Sequence, residues 1–261
     1  MTIDNGNTED PNDTNNITYL IQDRYFDNMG SKWLTVKQIK IDEIKISRSI
    51  VLPKEKMIFF LNLKSVSTYW KCLLYVVENN KPCPLKSKNT KFLSLTNYTT
   101  NDVVNMMLGD SWTKITIVRD PRERILSAYL HKAVRENYVE NRCKRKVESF
   151  SAFIDLIKTC KDPHWRPQIY LPKPVYKNFI IGKMSVRNNI SQFTESILKR
   201  MGAWERMKDW IRNTEDFSER KHPTFAKDQI AEYFNREIED NIISMYKEEY
   251  EVFGFDDDYF T

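Results

Sequence analysis

Two short stretches of the chain carry the residue types that hold phosphate groups. The first is LKSVSTYWK, residues 63–71, in which Lys64 offers a positive charge and Ser67 and Thr68 offer hydroxyl donors. A loop that enters a helix N-terminus also presents free backbone N–H groups and the positive end of the helix dipole. This composition indicates an anion-binding loop, and a polar turn with an incidental lysine is the alternative reading.

The second stretch is KITIVRDPRERILSAY, residues 114–129. Arg119 ends an apolar run, and Ser127 lies about two turns into the helix that the pattern predicts. A guanidinium can grip a phosphate through two parallel hydrogen bonds, and the Ser127 hydroxyl can join it. The alternative is a solvated basic helix face. That alternative is weaker for Arg119 than for Arg122, because an unpaired charge at the end of a buried strand is costly.

Alternating strands and helices are predicted to position both stretches. KMIFFLNL (56–63) is a bulky apolar run without a helical period, and residues 69–79 then place apolar side chains at helical spacing. KITIV (114–118) is β-branched and continuous, as a central parallel strand should be. Asp120 suits an N-cap and Pro121 the first turn of the helix that follows.

A third unit is KNFIIGKM (177–184), followed by apolar residues at helical spacing up to Met201. The C-terminal third is predicted to be mostly helical. The sequence therefore predicts an α/β fold, in which a P-loop-like parallel sheet is flanked by helices. Ligands bind such sheets at the carboxyl ends of the strands, where 63–68 and 119–124 fall.

Features of the sequence disfavour several classes of protein. The chain has no glycine between residues 31 and 108, so a Walker A loop is missing and nucleoside triphosphate hydrolysis is disfavoured. The longest apolar run, Met57 to Leu61, is far shorter than the roughly 20 residues of a membrane span. The N-terminus lacks the pattern of a signal peptide. No nucleic-acid-binding module is recognisable.

Composition predicts one domain behind a short tail. The 261 residues are 41% hydrophobic and carry a net charge of +5. Residues 1–18 are acidic and poor in aliphatic side chains, which predicts a disordered tail, and residues 19–261 are predicted to form a single domain. The four cysteines contain no CxxC pair, which disfavours a zinc or thioredoxin site. They are compatible with two disulfides or with four free thiols.

The two phosphate-binding stretches, taken together, resemble the carbohydrate sulfotransferases related to the HNK-1 and chondroitin/dermatan 4-O-sulfotransferases. LKSVSTYWK is similar to that family's 5′-phosphosulfate loop, P-K-x-x-[CS]-[ST]-N-W-K. VRDPRERILSAY is similar to its 3′-phosphate motif, V-R-[DH]-P-F-x-R-[LI]-[LI]-S-A-[YF]. HWRPQ (164–168), FIIGKM (179–184) and YKEEYEVFGF (246–255) resemble further landmarks in the expected order. The resemblance covers roughly residues 56 to 255.

The resemblance implies a transferase that uses 3′-phosphoadenosine 5′-phosphosulfate (PAPS) as co-substrate and needs no metal. Lys64 would stabilise charge on the bridging oxygen as the sulfuryl group leaves. The 5′-phosphate would be held by the loop, and the 3′-phosphate by the motif after the second strand. The implied cofactor-binding residues are Lys64, Ser65, Val66, Ser67, Thr68, Arg119 and Ser127.

The chain departs from the family pattern at positions beside the implied phosphate ligands. Leu63 replaces the proline before the lysine, Tyr69 replaces an asparagine, and Arg122 replaces a phenylalanine. None of them removes an implied phosphate ligand, so the chain is identified as a divergent member. Members are typically anchored in the Golgi by an N-terminal membrane helix. The sequence as written shows none, so a Golgi-lumenal and a cytoplasmic location both stay open.

A general base is expected because an acceptor hydroxyl must lose a proton. His164, in the family-like HWRPQ, is the first candidate. His131 follows Ser127 by four residues, hence on the same helix face. His222 precedes a proline in a loop. Any one of these histidines can instead be purely structural, and Asp102, Asp120 and Glu123 are further candidates for the base.

The acceptor is less constrained than the donor. Arg122, Arg135, Lys144, Arg145 and Lys146 can attract an anionic glycan such as a glycosaminoglycan, or form a solvated basic face. The leading hypothesis is transfer to a carbohydrate hydroxyl. Alternatives are a cytosolic sulfotransferase for small hydroxyl-bearing molecules and a relative that binds nucleotide or glycan without turnover.

Overall fold

The computed structural model of the protein describes residues 18–23, 34–40, 49–84, 90–169, 171–184, 187–220 and 225–255. Residues 1–17, most of the predicted tail, lie outside the described residues, and Thr18 opens the first strand. The strands are β1 (Thr18–Asp23), β2 (Leu34–Lys40), β3 (Ser49–Leu52), β4 (Met57–Leu61), β5 (Thr113–Val118) and β6 (Phe179–Lys183).

Helices fill most of the remaining described chain. They are α1 (Ser67–Asn79), α2 (Thr100–Leu108), α3 (Pro121–Tyr129), α4 (Tyr138–Cys143), α5 (Phe150–Thr159), α6 (Arg187–Arg200), α7 (Trp204–Arg220), α8 (Ile230–Tyr233), α9 (Arg236–Met245) and α10 (Lys247–Phe253). A π-helical segment, Leu130–Val134, prolongs α3. Two 3₁₀ turns are Leu95–Asn97 and Lys173–Asn178.

A four-stranded sheet in the order β3-β4-β5-β6 forms the centre of the fold. The pairs β4–β5 and β5–β6 are parallel, and the edge strand β3 runs antiparallel to β4. Strands β1 and β2 form a separate antiparallel pair. The predicted α/β fold with a parallel sheet, flanking helices and a helical C-terminal third is confirmed.

Strand β4 is buried on both faces. Phe59 points into a cluster with Trp70 of α1 and with residues of α6 and α7, whereas Phe60 points into a second cluster with Met106 of α2 and Phe179 of β6. All five β4 side chains are at most 3% exposed. Burial of each bulky apolar side chain contributes about 1.5–3 kcal/mol, which explains the continuous apolar run.

Residues at the N-terminus of α3 determine where the helix after β5 begins. The side chain of Asp120 caps α3 by accepting from the Arg122 backbone N–H at 2.8 Å, and Pro121 occupies the first turn, as predicted. Helix α3 buries Ile125, Leu126 and Tyr129 against α5, α8, α9 and α10. The strand–helix corner is therefore held rigidly by capping on one side and by a third hydrophobic cluster on the other.

Candidate functional site

The parallel register brings the two stretches that are predicted to bind phosphate, 63–71 and 114–129, side by side. Leu61 of β4 lies opposite Ile117 of β5, so the residues that follow each strand emerge at the same edge of the sheet. The amide of Asn62 donates to the Ile117 carbonyl at 3.0 Å and fastens the two strand ends together. The carboxyl ends of β4 and β5 thus form one crevice, where ligands of α/β sheets bind.

The loop between β4 and α1 adopts an unusual backbone. Lys64 has φ 66° and Val66 has φ 45°, both in the left-handed region. That region is costly for a β-branched residue, and such strain is found mostly where a loop shape serves a ligand site. Here the two residues give a loop without glycine the tight course that glycines provide in many phosphate-binding loops.

The N-terminus of α1 is open to an anion. Val66, the N-cap, provides no side-chain hydrogen bond to the helix, and the first turn contains no acidic residue. Because the first N–H groups of a helix lack intrahelical acceptors, they are available to a ligand oxygen. Ser67 is buried and Thr68 is exposed at this end.

Ser65 makes hydrogen bonds within the protein, and its predicted contact with the cofactor stays a prediction. Its side chain is fully buried and donates to the Gln168 side-chain oxygen at 3.0 Å, and its N–H donates to the Asn62 carbonyl at 3.3 Å. Both of its donors are therefore used within the protein. Ser65 thereby holds the loop to Gln168 and to the end of β4.

Arg119 lies directly beside the loop. Its Nη1 donates to the Lys64 carbonyl at 3.3 Å, and its Nε donates to Glu123 at 3.0 Å. The side chain is 18% exposed, so it borders the crevice without being fully buried. Burial raises the pKa of Glu123, while the charge of Arg119 opposes that shift.

Ser127 lies in the second turn of α3 and is buried at the same strand–helix corner. Arg119 and Ser127 therefore belong to one corner, as the motif spacing predicts. Whether they share a phosphate stays a prediction.

Lys64 contacts His131 across the crevice. Its Nζ lies 2.7 Å from Nδ1 of His131, whose Nε2 is 3.3 Å from the carboxylate of Glu136. A neutral imidazole protonated on Nε2 satisfies both contacts. Burial, together with the charge of Lys132, lowers the pKa of Lys64 to about 7, although the carboxylate of Glu136 opposes the shift. The lysine is thus an amine whose charge state changes near neutral pH.

His164 is held by a carboxylate that the sequence did not single out. Nδ1 of His164 lies 2.6 Å from Asp162, whose carboxylate also accepts from the His164 backbone N–H and from the Tyr138 hydroxyl. Burial lowers the pKa of His164 despite this partner, and the positive charges of Lys132 and Lys64 contribute.

Hydrogen bonds from His164 and Tyr138 lower the pKa of Asp162, although burial acts in the opposite direction. Asp162 is therefore a carboxylate that keeps its charge and orients an imidazole. The missed signal is local, since an aspartate two residues before a candidate base can bond both the backbone and the ring of that histidine.

The other candidate bases have structural partners or lie elsewhere. Asp102 is the capping-box residue of α2 and accepts from Thr99. Asp120 pairs with Arg122, and Glu123 pairs with Arg119. His222 lies outside the described residues.

Arg122 does not belong to an exposed basic surface, so that expectation is wrong. It is 4% exposed, pairs with Asp120 through Nη2 at 2.9 Å and with Glu239 through Nη1 at 2.9 Å. Its site is thus occupied by a buried ion-pair network that fastens α3 to α9. The remaining basic candidates, Arg135, Lys144, Arg145 and Lys146, are exposed.

The four cysteines form two disulfides, Cys72–Cys83 and Cys143–Cys160. The second connects the end of α4 to the segment that carries Asp162 and His164. In the described ranges, no group of three or more His, Cys, Asp or Glu side chains is arranged to hold a metal ion. Within those same residues, no helix is both long and apolar enough to cross a bilayer.

Comparison with known proteins supports one family. A sequence model described as the sulfotransferase family matches residues 47–256, which include the stretches 63–71 and 114–129 and the whole four-stranded sheet. No curated protein and no solved structure matched the chain.

Proposed function

The chain belongs to the sulfotransferase family, and we propose that it transfers a sulfuryl group from PAPS to a carbohydrate hydroxyl, as in the HNK-1 and chondroitin/dermatan 4-O-sulfotransferases. One observation carries this proposal. Lys64 and Arg119, which the resemblance assigns to the 5′-phosphosulfate and the 3′-phosphate, lie side by side at the carboxyl ends of two adjacent parallel strands.

The residues present fit the donor. The uncapped N-terminus of α1 and the charge of Lys64 suit a 5′-phosphosulfate, and Arg119 with Ser127 suits a 3′-phosphate. PAPS, when bound, supplies an activated sulfuryl group and a stable phosphate leaving group. The protein contributes position and positive charge, as in phosphoryl transfer.

Lys64 is the residue that stabilises charge on the leaving oxygen. In the described structure its amine contacts His131, and a bound anion beside it would favour the protonated form. His131 then orients Lys64 and anchors it through Glu136. Since its Nδ1 is occupied by Lys64, His131 is the less suitable of the two histidine candidates for proton removal.

His164 is the better candidate for the general base. Asp162 holds its Nδ1, which leaves Nε2 as the nitrogen that takes the acceptor proton. The lowered pKa keeps the imidazole neutral at pH 7, and the adjacent carboxylate stabilises the imidazolium that forms. The pair thus has the arrangement of a base with its orienting group.

An anionic glycan is the acceptor class that the exposed charges favour. Arg135 and the run Lys144, Arg145 and Lys146 lie on the exposed segment between α3 and α5, and Arg135 follows His131 by four residues. The pairing of all four cysteines suits an oxidising compartment, in which glycan-modifying enzymes of the secretory pathway work. Small cytosolic acceptors fit that pairing less well.

The proposal is tested by incubating the protein with PAPS and a panel of desulfated glycosaminoglycans, neutral glycans and small phenols. Sulfated product and released 3′-phosphoadenosine 5′-phosphate are quantified together. Wild type should sulfate a glycan, and Lys64→Met should lose most of the rate. Lys208→Met, the same charge change on the surface of α7, should not. Transfer only to phenols, or nucleotide binding without transfer, would contradict the proposal.

A further inference from the structure

Gln168 lies between the two phosphate-binding stretches and contacts both. Its side chain pairs with the backbone of Arg119 in both directions, since Oε1 accepts from the Arg119 N–H at 2.9 Å and Nε2 donates to the Arg119 carbonyl at 2.8 Å. Oε1 also accepts from the Ser65 hydroxyl at 3.0 Å. One buried amide, 1% exposed, therefore joins the end of β5 to the loop after β4.

Glu249 of α10 fixes the orientation of that amide. Its carboxylate accepts from the Gln168 backbone N–H at 2.7 Å and from the Gln168 Nε2, and it pairs with Arg124 at 3.1 Å. Because a carboxylate can only accept here, the NH₂ group of Gln168 must face it. The carbonyl of the amide is thereby directed at Ser65 and the Arg119 N–H.

We propose that Gln168 is a positioning residue that sets the distance between the two anion sites of the cofactor crevice. It would act without touching the nucleotide. This inference rests on the proposed function, because it assumes that the Lys64 loop and Arg119 hold the two phosphate ends of one molecule.

The physical basis is simultaneous binding. A nucleotide with phosphates at both ends gains affinity over a monophosphate only if both sites can be occupied without distortion. Displacing a positioned group by about 1 Å can lower the rate of a catalysed reaction around 10²-fold. Gln168 bonds to both stretches, through the Ser65 hydroxyl on one side and the Arg119 backbone on the other.

The test compares three nucleotides on wild type and Gln168→Met, which keeps the side-chain length but removes the hydrogen bonds. The ligands are 3′-phosphoadenosine 5′-phosphate, adenosine 5′-phosphate and adenosine 3′-phosphate, with dissociation constants from calorimetry or competition. The bisphosphate should bind the variant about tenfold or more weakly, whereas either monophosphate should change by less than about threefold.

Two further variants keep the result interpretable. Ser65→Ala removes only the contact between the loop and Gln168. It should show the same selective loss of bisphosphate affinity at a smaller size, and it serves as the test if Gln168→Met does not fold. Met106→Ala, in the core beneath the sheet, should lower thermal stability without changing the ratio of bisphosphate to monophosphate affinity.

An unchanged bisphosphate affinity in folded Gln168→Met would overturn the inference, and so would an equal loss for all three nucleotides. Failure of wild type to bind any of the nucleotides is a different result, since it would remove the proposed function itself.

Discussion

The charge of single residues at the crevice decides what it can bind. Arg119 and the protonated form of Lys64 place two positive charges at adjacent strand ends, beside the carboxylates of Glu123 and Glu136. Residue types and spacing were enough to single out both side chains. Three of their neighbours were not singled out: Glu136 beside His131, Asp162 beside His164, and Gln168. The contacts of Gln168 depend on how distant segments pack, whereas the pairing of Asp162 with His164 is a local signal that was missed.

Anion binding should depend on pH through Lys64. Its pKa in the free protein is about 7, and binding of an anion takes up a proton wherever the amine is neutral. Affinity for 3′-phosphoadenosine 5′-phosphate should therefore be full below pH 7 and fall by up to about tenfold per unit as pH rises from 7 to 9. Calorimetry at several pH values measures this.

Lys64→Arg is the control, since arginine stays protonated throughout this range. Its affinity should be nearly flat from pH 7 to 9. If the wild-type affinity were equally independent of pH, Lys64 would be charged in the free protein up to pH 9. That result would contradict the lowered pKa that burial and Lys132 give it.

The pair Asp162–His164 should control the acidic limb of the rate profile. His164→Ala should lower kcat by about 10²- to 10⁴-fold. Asp162→Asn removes the carboxylate that raises the pKa of His164, so the acidic limb should move to lower pH while kcat falls. Steady-state rates from pH 5 to 8 provide the measurement. If His131→Ala, and not His164→Ala, abolishes the limb, the assignment of the base is wrong.

At the level of elements, three strand–helix units build the parallel part of the sheet, and two of them, β4–α1 and β5–α3, border the crevice. The units β4–α1, β5–α3 and β6–α6 were predictable because continuous apolar runs precede residues at helical spacing. The short edge strand β3 and the pair β1–β2 carry no comparable run, so the sequence did not indicate them. The burial of Arg122 was missed because its partner Glu239 lies 117 residues away.

Gly182 is required where β6 meets α6. A Cβ at this position would lie 2.5 Å from Cε1 of Phe193, whose ring packs against Trp70. Gly182→Ala should therefore destabilise the protein by about 1–3 kcal/mol, as overpacking does. Urea unfolding measures the loss. The double variant with Phe193→Leu should recover part of it, and additive losses in the double variant would refute the proposed clash.

At the scale of the whole molecule, buried ion pairs and disulfides hold the outer helices on the sheet. Arg122 pairs with Glu239 of α9, and Arg124 pairs with Glu249 of α10, so the C-terminal helices are tied to the strand–helix corner that carries Arg119. The family-like residues near the C-terminus are therefore part of the support for the crevice, which the linear motif could not reveal.

The disulfide Cys143–Cys160 should stabilise this arrangement. It closes a loop of 17 residues. By lowering the conformational entropy of the unfolded chain, a loop of this length stabilises the folded protein by about 3 kcal/mol. The double variant Cys143→Ser with Cys160→Ser should lose about that free energy of unfolding in urea, and thiol reduction of the wild type should act in the same direction. Equal stability of oxidised and reduced protein would contradict the pairing.

The most direct test of the account is calorimetric titration with 3′-phosphoadenosine 5′-phosphate. Wild type should bind, and Arg119→Ala should bind about 10- to 100-fold more weakly, because charge-assisted hydrogen bonds are lost. Arg212→Ala, an equal change of charge at an exposed position of α7, should bind like wild type. Absence of binding to folded wild type, or an Arg119→Ala affinity equal to that of wild type, would contradict a nucleotide clamp at the ends of β4 and β5.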